Sequence, residues 1–238
     1  MEESNSKEFK PSFENGGFWE YYKDLERQFE EFLNYVPYFQ KNENTVSFRL
    51  ANLIVAIGSY VDSAFREIAS YSDFVKKYPS ILRTARGKIR TTRISDYYVL
   101  AEEYSLEDKE VEFKCLPERE RIKPFAQYVR ISGKVASPNW WQVYNGIKHH
   151  FRDNLENANL KNAKEALGGA FLLNAVHTPS ALRLYDYGIL KTRMPIEQSP
   201  GRFKKIGSAR FQIKESLENR QQFIGDIETN LFRYDYWQ

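Results

Sequence analysis

Two of the three histidines, His149 and His150, sit side by side in Trp140-Trp141-Gln142-Val143-Tyr144-Asn145-Gly146-Ile147-Lys148-His149-His150. Histidine ordinarily changes charge near neutral pH, so acid/base chemistry starts from this stretch. Trp141, Tyr144, Ile147 or Lys148, and Phe151 recur every three or four residues, the spacing of a buried helix face. Asn145, His149 and Arg152 then project together from a second face. Ser137-Pro138 just upstream suits a helix start, with the hydroxyl as cap and the proline in the first turn. The expected helix runs from Pro138 to Phe151.

Other chemistry has less support. Adjacent helical side chains diverge by about 100 degrees, so His149 and His150 do not form a two-ligand metal face. No Gly-rich phosphate loop, dinucleotide fingerprint or His-Glu-x-x-His is present, and neither a metal nor a cofactor is expected. Asp153, four residues after His149, reads as a solvated partner, and Asp62 with Arg66 as an intrahelical ion pair worth about 0.3–0.5 kcal/mol. His177, before Thr178-Pro179, reads as a favourable dipole contact or cap. Trp140, Trp141 and Tyr144 read as core before they read as stacking platforms. Arg83, Arg86, Lys88, Arg90 and Arg93 follow one another with no acid between them, which suits a solvated loop or a nonspecific phosphate attractor.

The elements that must position these groups are mostly helices. Phe18, Tyr22, Leu25, Phe29, Phe32 and Val36 form one stripe, stopped near Pro37; Val46, Leu50, Leu53, Ile57, Val61, Phe65 and Ile68 form a longer one after Asn42 or Asn44. A short polar loop between them predicts an antiparallel hairpin. Thr92 to Tyr104 suits a shorter helix, Glu110 to Leu116 a short exposed strand or extended loop, and Leu160 to Val176 a helix ended by Pro179. Gly168-Gly169 inside that helix costs about 1 kcal/mol per glycine relative to alanine, which close packing would offset. Beyond Pro179, Leu182 to Tyr187, Phe203 to Ile213 and Leu231 to Trp237 suit short strands or ordered extensions, with Glu215 to Ile227 helical. The organisation read from this is a lead-in over 1–17, a helical domain over 18–178 and a mixed α/β or extended C-terminal extension over 179–238 that packs on the bundle or on a partner.

Composition sets the outer bounds. The 238 residues, 42% hydrophobic and 16% aromatic, suffice for one sizeable core, and 28% charged residues with a mean hydropathy of −0.64 suit a water-exposed surface. The single Cys115 excludes an internal disulfide framework, no stretch approaches the roughly 20 apolar residues that span a bilayer, and Met1 to Lys10 lacks the apolar core of a signal peptide. A cytoplasmic protein without membrane association is the expectation. A net charge of +3 does not by itself indicate a nucleic-acid partner.

The helix from Ser47 to Arg66, containing Leu53-Ile54-Val55-Ala56-Ile57-Gly58-Ser59-Tyr60, is followed by the Trp-Trp-x-x-Tyr-Asn-x-x-Lys-His helix. An alanine-rich helix containing Ala166-Leu167-Gly168-Gly169-Ala170-Phe171-Leu172-Leu173 comes next. This order resembles an uncharacterised bacterial branch of the HEPN superfamily, small α-helical proteins, many of them metal-independent RNases of toxin–antitoxin and antiviral systems. The resemblance covers roughly Phe18 to His177. It implies a predominantly α, HEPN-like antiparallel bundle and a homodimer whose two histidine helices face one composite cleft. It implies RNA as substrate, an antitoxin or defence-system protein as a further partner, and His149 and Asn145 as the catalytic pair. Tyr144, Lys148 and Arg152 would contact substrate, with Asp62 and Arg66 supporting them. Tyr144 stands where the RNase motif has arginine, and a neutral hydroxyl does not replace a bidentate guanidinium. Two function classes therefore stand side by side: an endoribonuclease that uses a neighbouring cation, and a catalytically silent module that binds a protein or nucleic acid.

Overall fold

Apolar residues at helical spacing dominate the chain, and helices dominate the structure, a computed structural model that describes residues 12–13, 15–71, 76–78, 93–115, 119–192 and 225–236. Helix α1 (Gly17–Leu33) buries Phe18, Tyr22, Leu25, Phe29 and Phe32. Helix α2 (Phe48–Ser70) starts where the Ser47 hydroxyl accepts the Leu50 N–H at 3.0 Å, a few residues later than the apolar stripe alone suggests. The two run antiparallel: Arg49 at the start of α2 pairs with Glu31 at the end of α1, while Tyr21 near the start of α1 packs edge-on against Tyr60.

A turn of 3₁₀ helix over Ile94–Tyr97 leads into α3 (Tyr98–Tyr104), and Tyr97 stacks on Phe65 of α2 with ring centres 5.5 Å apart. Then come α4 (Asn139–His149), the single turn α5 (Phe151–Asn154), α6 (Leu160–Val176) and α7 (Thr178–Asp186). Helix α6 is apolar almost all round and is accordingly the central one, packed against α1, α2, α4 and α7. Its two central glycines admit these neighbours. A Cβ on Gly169 would meet the Trp140 ring of α4 at 3.1 Å, and one on Gly168 would meet the side chain of Ile122 at 2.9 Å. The close packing expected of the glycine pair is there, against a helix on one side and a strand on the other.

One antiparallel sheet completes the fold, in the order β2-β1-β7-β6-β5, formed by β1 (Val111–Phe113), β2 (Glu120–Ile122), β5 (Leu190–Thr192), β6 (Gly225–Glu228) and β7 (Phe232–Asp235). Strands β3 (Arg130–Ile131) and β4 (Lys134–Val135) pair separately. The C-terminal strands are joined to the earlier ones through β7, with Phe113 opposite Phe232. Phe232 stacks on Phe171 of α6, and the Tyr236 hydroxyl donates to the Ala175 carbonyl.

Several expectations need correction. Leu182 to Tyr187 is not a strand: Thr178-Pro179 opens α7, Pro179 in the first turn supplies a preset φ, and Ala181, Leu182 and Leu184 turn inward at helical spacing. Helix α6 ends at Val176, before Pro179, as expected, and Pro179 lies in the first turn of the helix that follows. The segment around β1 is not exposed, because β1 is flanked by β2 and β7 and lies against α6, which leaves Val111 and Phe113 fully buried. Residues 225–227 are strand, not helix. The rest of the expected 215–227 helix, the expected strand over 203–213, and Arg83 to Arg90 of the basic run lie outside the described residues.

Candidate functional site

Helix α4 is anchored at its start by the core and ends at the surface. Pro138, not Ser137, occupies the N-cap position and has no capping side chain, and the Asn139 N–H is instead taken by Gln127 Oε1 at 3.0 Å. Trp140, Trp141, Val143, Tyr144 and Ile147 are buried, and Trp140 Nε1 donates to the Pro124 carbonyl at 2.7 Å. The helix stops at His149. His150 leaves the helical region with φ −141° and ψ 62°, and α5 begins afresh at Phe151. Asn154 fits this break: its side-chain amide donates to the His150 carbonyl at 2.9 Å and lies over Gly146, where a Cβ would come within 2.6 Å of Asn154 Oδ1. The continuous helix expected to Phe151 is therefore two, and Arg152 and Asp153 do not share a helical face with His149.

Below the break, Tyr144 is fixed by a notch in α2. A Cβ on Gly58 would lie 2.3 Å from the Tyr144 ring, so only glycine lets this ring seat there. Trp141 closes the same ring edge-on with ring centres 5.0 Å apart. The hydroxyl ends next to Lys148, whose ammonium donates to it at 2.9 Å and lies 5.2 Å from the ring centre. That hydrogen bond is the main reason the Lys148 ammonium sits above the usual lysine range; Asp62 and Arg66 are close enough to act on it in opposite senses. Asp62 and Arg66 form the i,i+4 ion pair expected of them, 3.1 Å apart on α2.

The structure thus brings together Tyr144, Lys148, Asp62 and Arg66. Tyr144 is 2% exposed and offers little beyond its hydroxyl. Asn145 is half-buried and His149 exposed, one turn apart on α4, and neither side chain bonds to another group among the described residues. Arg152 is exposed and has no acidic partner among the described residues. Lys148 and His149 fall in the last turn of α4, where the exposed carbonyl ends favour positive charge. Among the described residues no cluster of three or more His, Cys, Asp or Glu is placed to hold a metal ion, and no helix is long and apolar enough to cross a membrane.

No family model, curated protein or solved structure matches this chain. The arrangement can hold an anion against Lys148 and presents the His149 imidazole from the same helix end.

Two buried polar features stand apart from the α4 site: Lys164, for which the sequence carried no expectation, and His177, for which it did. Lys164 of α6 is 1% exposed, and its ammonium bonds to Tyr38 Oη at 2.5 Å, Glu43 Oε1 at 2.9 Å and Glu120 Oε2 at 2.6 Å. The single proton of the Tyr38 hydroxyl is shared between the same two carboxylates, which lie 2.7 and 2.6 Å away. Burial pushes the Tyr38 hydroxyl up, and the carboxylates beside it push the same way; burial also raises Glu43, but the Lys164 ammonium and the Tyr38 hydroxyl, with Lys161, together outweigh it and leave that carboxyl below its ordinary range. The available signal was a lysine just before the continuous small and apolar run Ala166 to Leu173, although Lys161 and Glu165 beside it made a solvated face the simpler reading.

His177 is the second feature. It is buried in an aromatic box, with Phe13 at 4.7 Å, Tyr71 at 4.9 Å and the Tyr104 hydroxyl 2.9 Å from Nδ1. Burial pushes its pKa down to about 3, so it is neutral at pH 7. His177 does stand at the cap position expected of it, between α6 and α7, with its backbone N–H on the Leu173 carbonyl, whereas the alternative of a favourable contact with a helix dipole requires a charge that this ring does not carry.

Proposed function

We propose that this chain is a HEPN-like helical module directed at RNA, with Lys148 supplying the cation that the arginine-less motif lacks. The observation that carries this reading is the Tyr144–Lys148 hydrogen bond. Tyr144 does not grip phosphate itself; seated in the Gly58 notch, it holds the Lys148 ammonium on the side of α4 that meets α2. A fixed ammonium meets a phosphate oxygen as a point charge and loses less freedom on binding than a lysine waving in solvent. Arg66 is partly neutralised by Asp62, which leaves Lys148 as the main positive centre, and Asn145 and His149 offer a hydrogen bond and a proton carrier from the same helix end.

In the catalytic form of this reading the RNA's own 2′-hydroxyl attacks the neighbouring phosphorus and the 5′-oxygen leaves, giving a cyclic phosphate. His149 moves a proton, and Lys148 offsets the charge that grows on the phosphoryl oxygens. His149 has no orienting partner among the described residues. In this reading a second copy of the chain supplies that orientation across a symmetric cleft, so cleavage requires a homodimer whereas phosphate binding does not.

The test is purified protein with labelled mixed-sequence RNA in excess chelator, comparing wild type, His149→Ala, His150→Ala and Lys148→Met. Retained affinity on removal of His149, with loss on removal of Lys148, is the expected binding result. Cleavage, if present, leaves a cyclic phosphate and falls about 10²–10⁴-fold in His149→Ala alone. Binding without cleavage assigns the silent module; no binding of any RNA by wild type overturns the reading.

A further inference from the structure

Phe48 and Phe151 are 65% and 42% exposed, yet their rings stack on one another, 6.1 Å between centres and 12° from parallel. They come from different elements, the first residue of α2 and the first of α5, so the break after α4 sets Phe151 beside Phe48 instead of continuing the helix past His149. A stacked aromatic pair that the core does not cover presents flat π surface and ring edges to solvent. In sequence Phe151 stands between His150 and Arg152, and Phe48 is followed by Arg49. His149, His150 and Arg152 are exposed, and Arg152 has no acidic partner among the described residues; Arg49 is partly neutralised by Glu31.

We propose that the Phe48–Phe151 pair is a stacking platform for an unpaired nucleobase, with Arg152 and Lys148 holding the flanking phosphates. This rests on the RNA-directed reading and narrows it to single-stranded segments. Bases within a duplex keep their faces covered by their neighbours, whereas an unpaired base can leave its strand and stack on a protein ring. The exposed acids Asp153 and Glu156 on the same segment limit the net attraction for phosphate, so stacking carries a larger share of the affinity than in a purely basic cleft. Aromatic faces rimmed by cations suit a nucleic acid better than an apolar peptide, which would leave Arg152 and the imidazoles without partners.

The experiment is fluorescence anisotropy of the full chain with three labelled probes: a mixed-sequence single-stranded RNA, the same RNA as a duplex, and an abasic ribose-phosphate strand of equal length. The variants are Phe48→Ala, Phe151→Ala, Phe151→Tyr and Arg152→Gln, each checked for an unchanged thermal midpoint. Both alanine variants should weaken binding of the single strand by about tenfold or more. They should leave duplex and abasic binding within about twofold and the salt slope unchanged, and Phe151→Tyr should restore affinity. Arg152→Gln should lower affinity for all three probes and reduce the salt slope by nearly one.

Equal losses on all probes, or no loss in either alanine variant, would overturn the platform. A wild-type dimer that Phe151→Ala splits, without a single-strand-specific loss, would assign the pair to self-association and also overturn it. Failure of wild type to bind any RNA removes the underlying reading; binding that depends on Lys148 but not on either phenylalanine removes the platform alone.

Discussion

Two lysines sixteen positions apart show how differently one side chain can be used. Lys164, in the middle of α6, has its three N–H donors on Tyr38, Glu43 and Glu120 and is closed off from water. Lys148, in the last turn of α4, is exposed and makes one side-chain hydrogen bond among the described residues, to Tyr144. A saturated ammonium ties elements together and has nothing left for a ligand. An ammonium fixed at one point and open at the others is ready to receive one.

Breaking the closed cluster should give the largest effect. Lys164→Met removes the cation shared by Glu43 and Glu120 and leaves the single Tyr38 proton between two carboxylates, and removing one member of a buried charged group costs about 3–5 kcal/mol. Glu43 and Glu120 keep 19% and 41% of their side-chain surface exposed, so the expected loss lies at the low end, about 3 kcal/mol by urea unfolding. A loss under about 1 kcal/mol would mean that Lys164 is not holding these elements together. Gly58→Ala attacks the open site from beneath. Its Cβ overlaps the Tyr144 ring, which costs about 1–3 kcal/mol and also shifts the hydroxyl under Lys148, so stability and RNA affinity should fall together.

How much of this was legible in the sequence follows from what each feature depends on. The spans of α1, α2, α4 and α6 were readable because one apolar stripe per helix faces one core. Asp62 and Arg66 were readable because an i,i+4 pair is local. The break at His150 was not, since it accompanies Asn154 lying back over Gly146, eight residues away and with no change in periodicity. Leu182 to Tyr187 alternates like a strand, but the proline in the preceding turn and the packing against α6 decide for helix. The Lys164 cluster joins residues from positions 38 to 164, and no local pattern announces such a meeting.

The histidines divide in the same way, His177 sealed in the core and His149 and His150 exposed. His177 has its folded pKa depressed to about 3, against about 6.5 when unfolded, so the unfolded chain binds the extra proton first. Its contribution to stability is complete above about pH 6.5 and is lost progressively as pH falls toward 3. Between pH 7 and 5.5 this amounts to about 1 kcal/mol, and His177→Leu should flatten that part of the stability profile. An unchanged slope would mean the ring accepts a proton in place. The smallest effect is expected at the open lysine: Lys148→Met, an exposed change, should alter unfolding stability by no more than about 0.5 kcal/mol.

The most direct test of the central claim is a double-mutant cycle on affinity for single-stranded RNA at fixed salt, using Tyr144→Phe, Lys148→Met and the double variant. Tyr144→Phe keeps the ring in the Gly58 notch and removes only the hydroxyl that holds the ammonium. If Tyr144 acts by positioning Lys148, its loss weakens binding in the wild-type background and has no further effect once Lys148 is gone, a coupling of at least about 0.5 kcal/mol. Losses that simply add, or a Lys148→Met protein that binds RNA as tightly as wild type, would contradict the account.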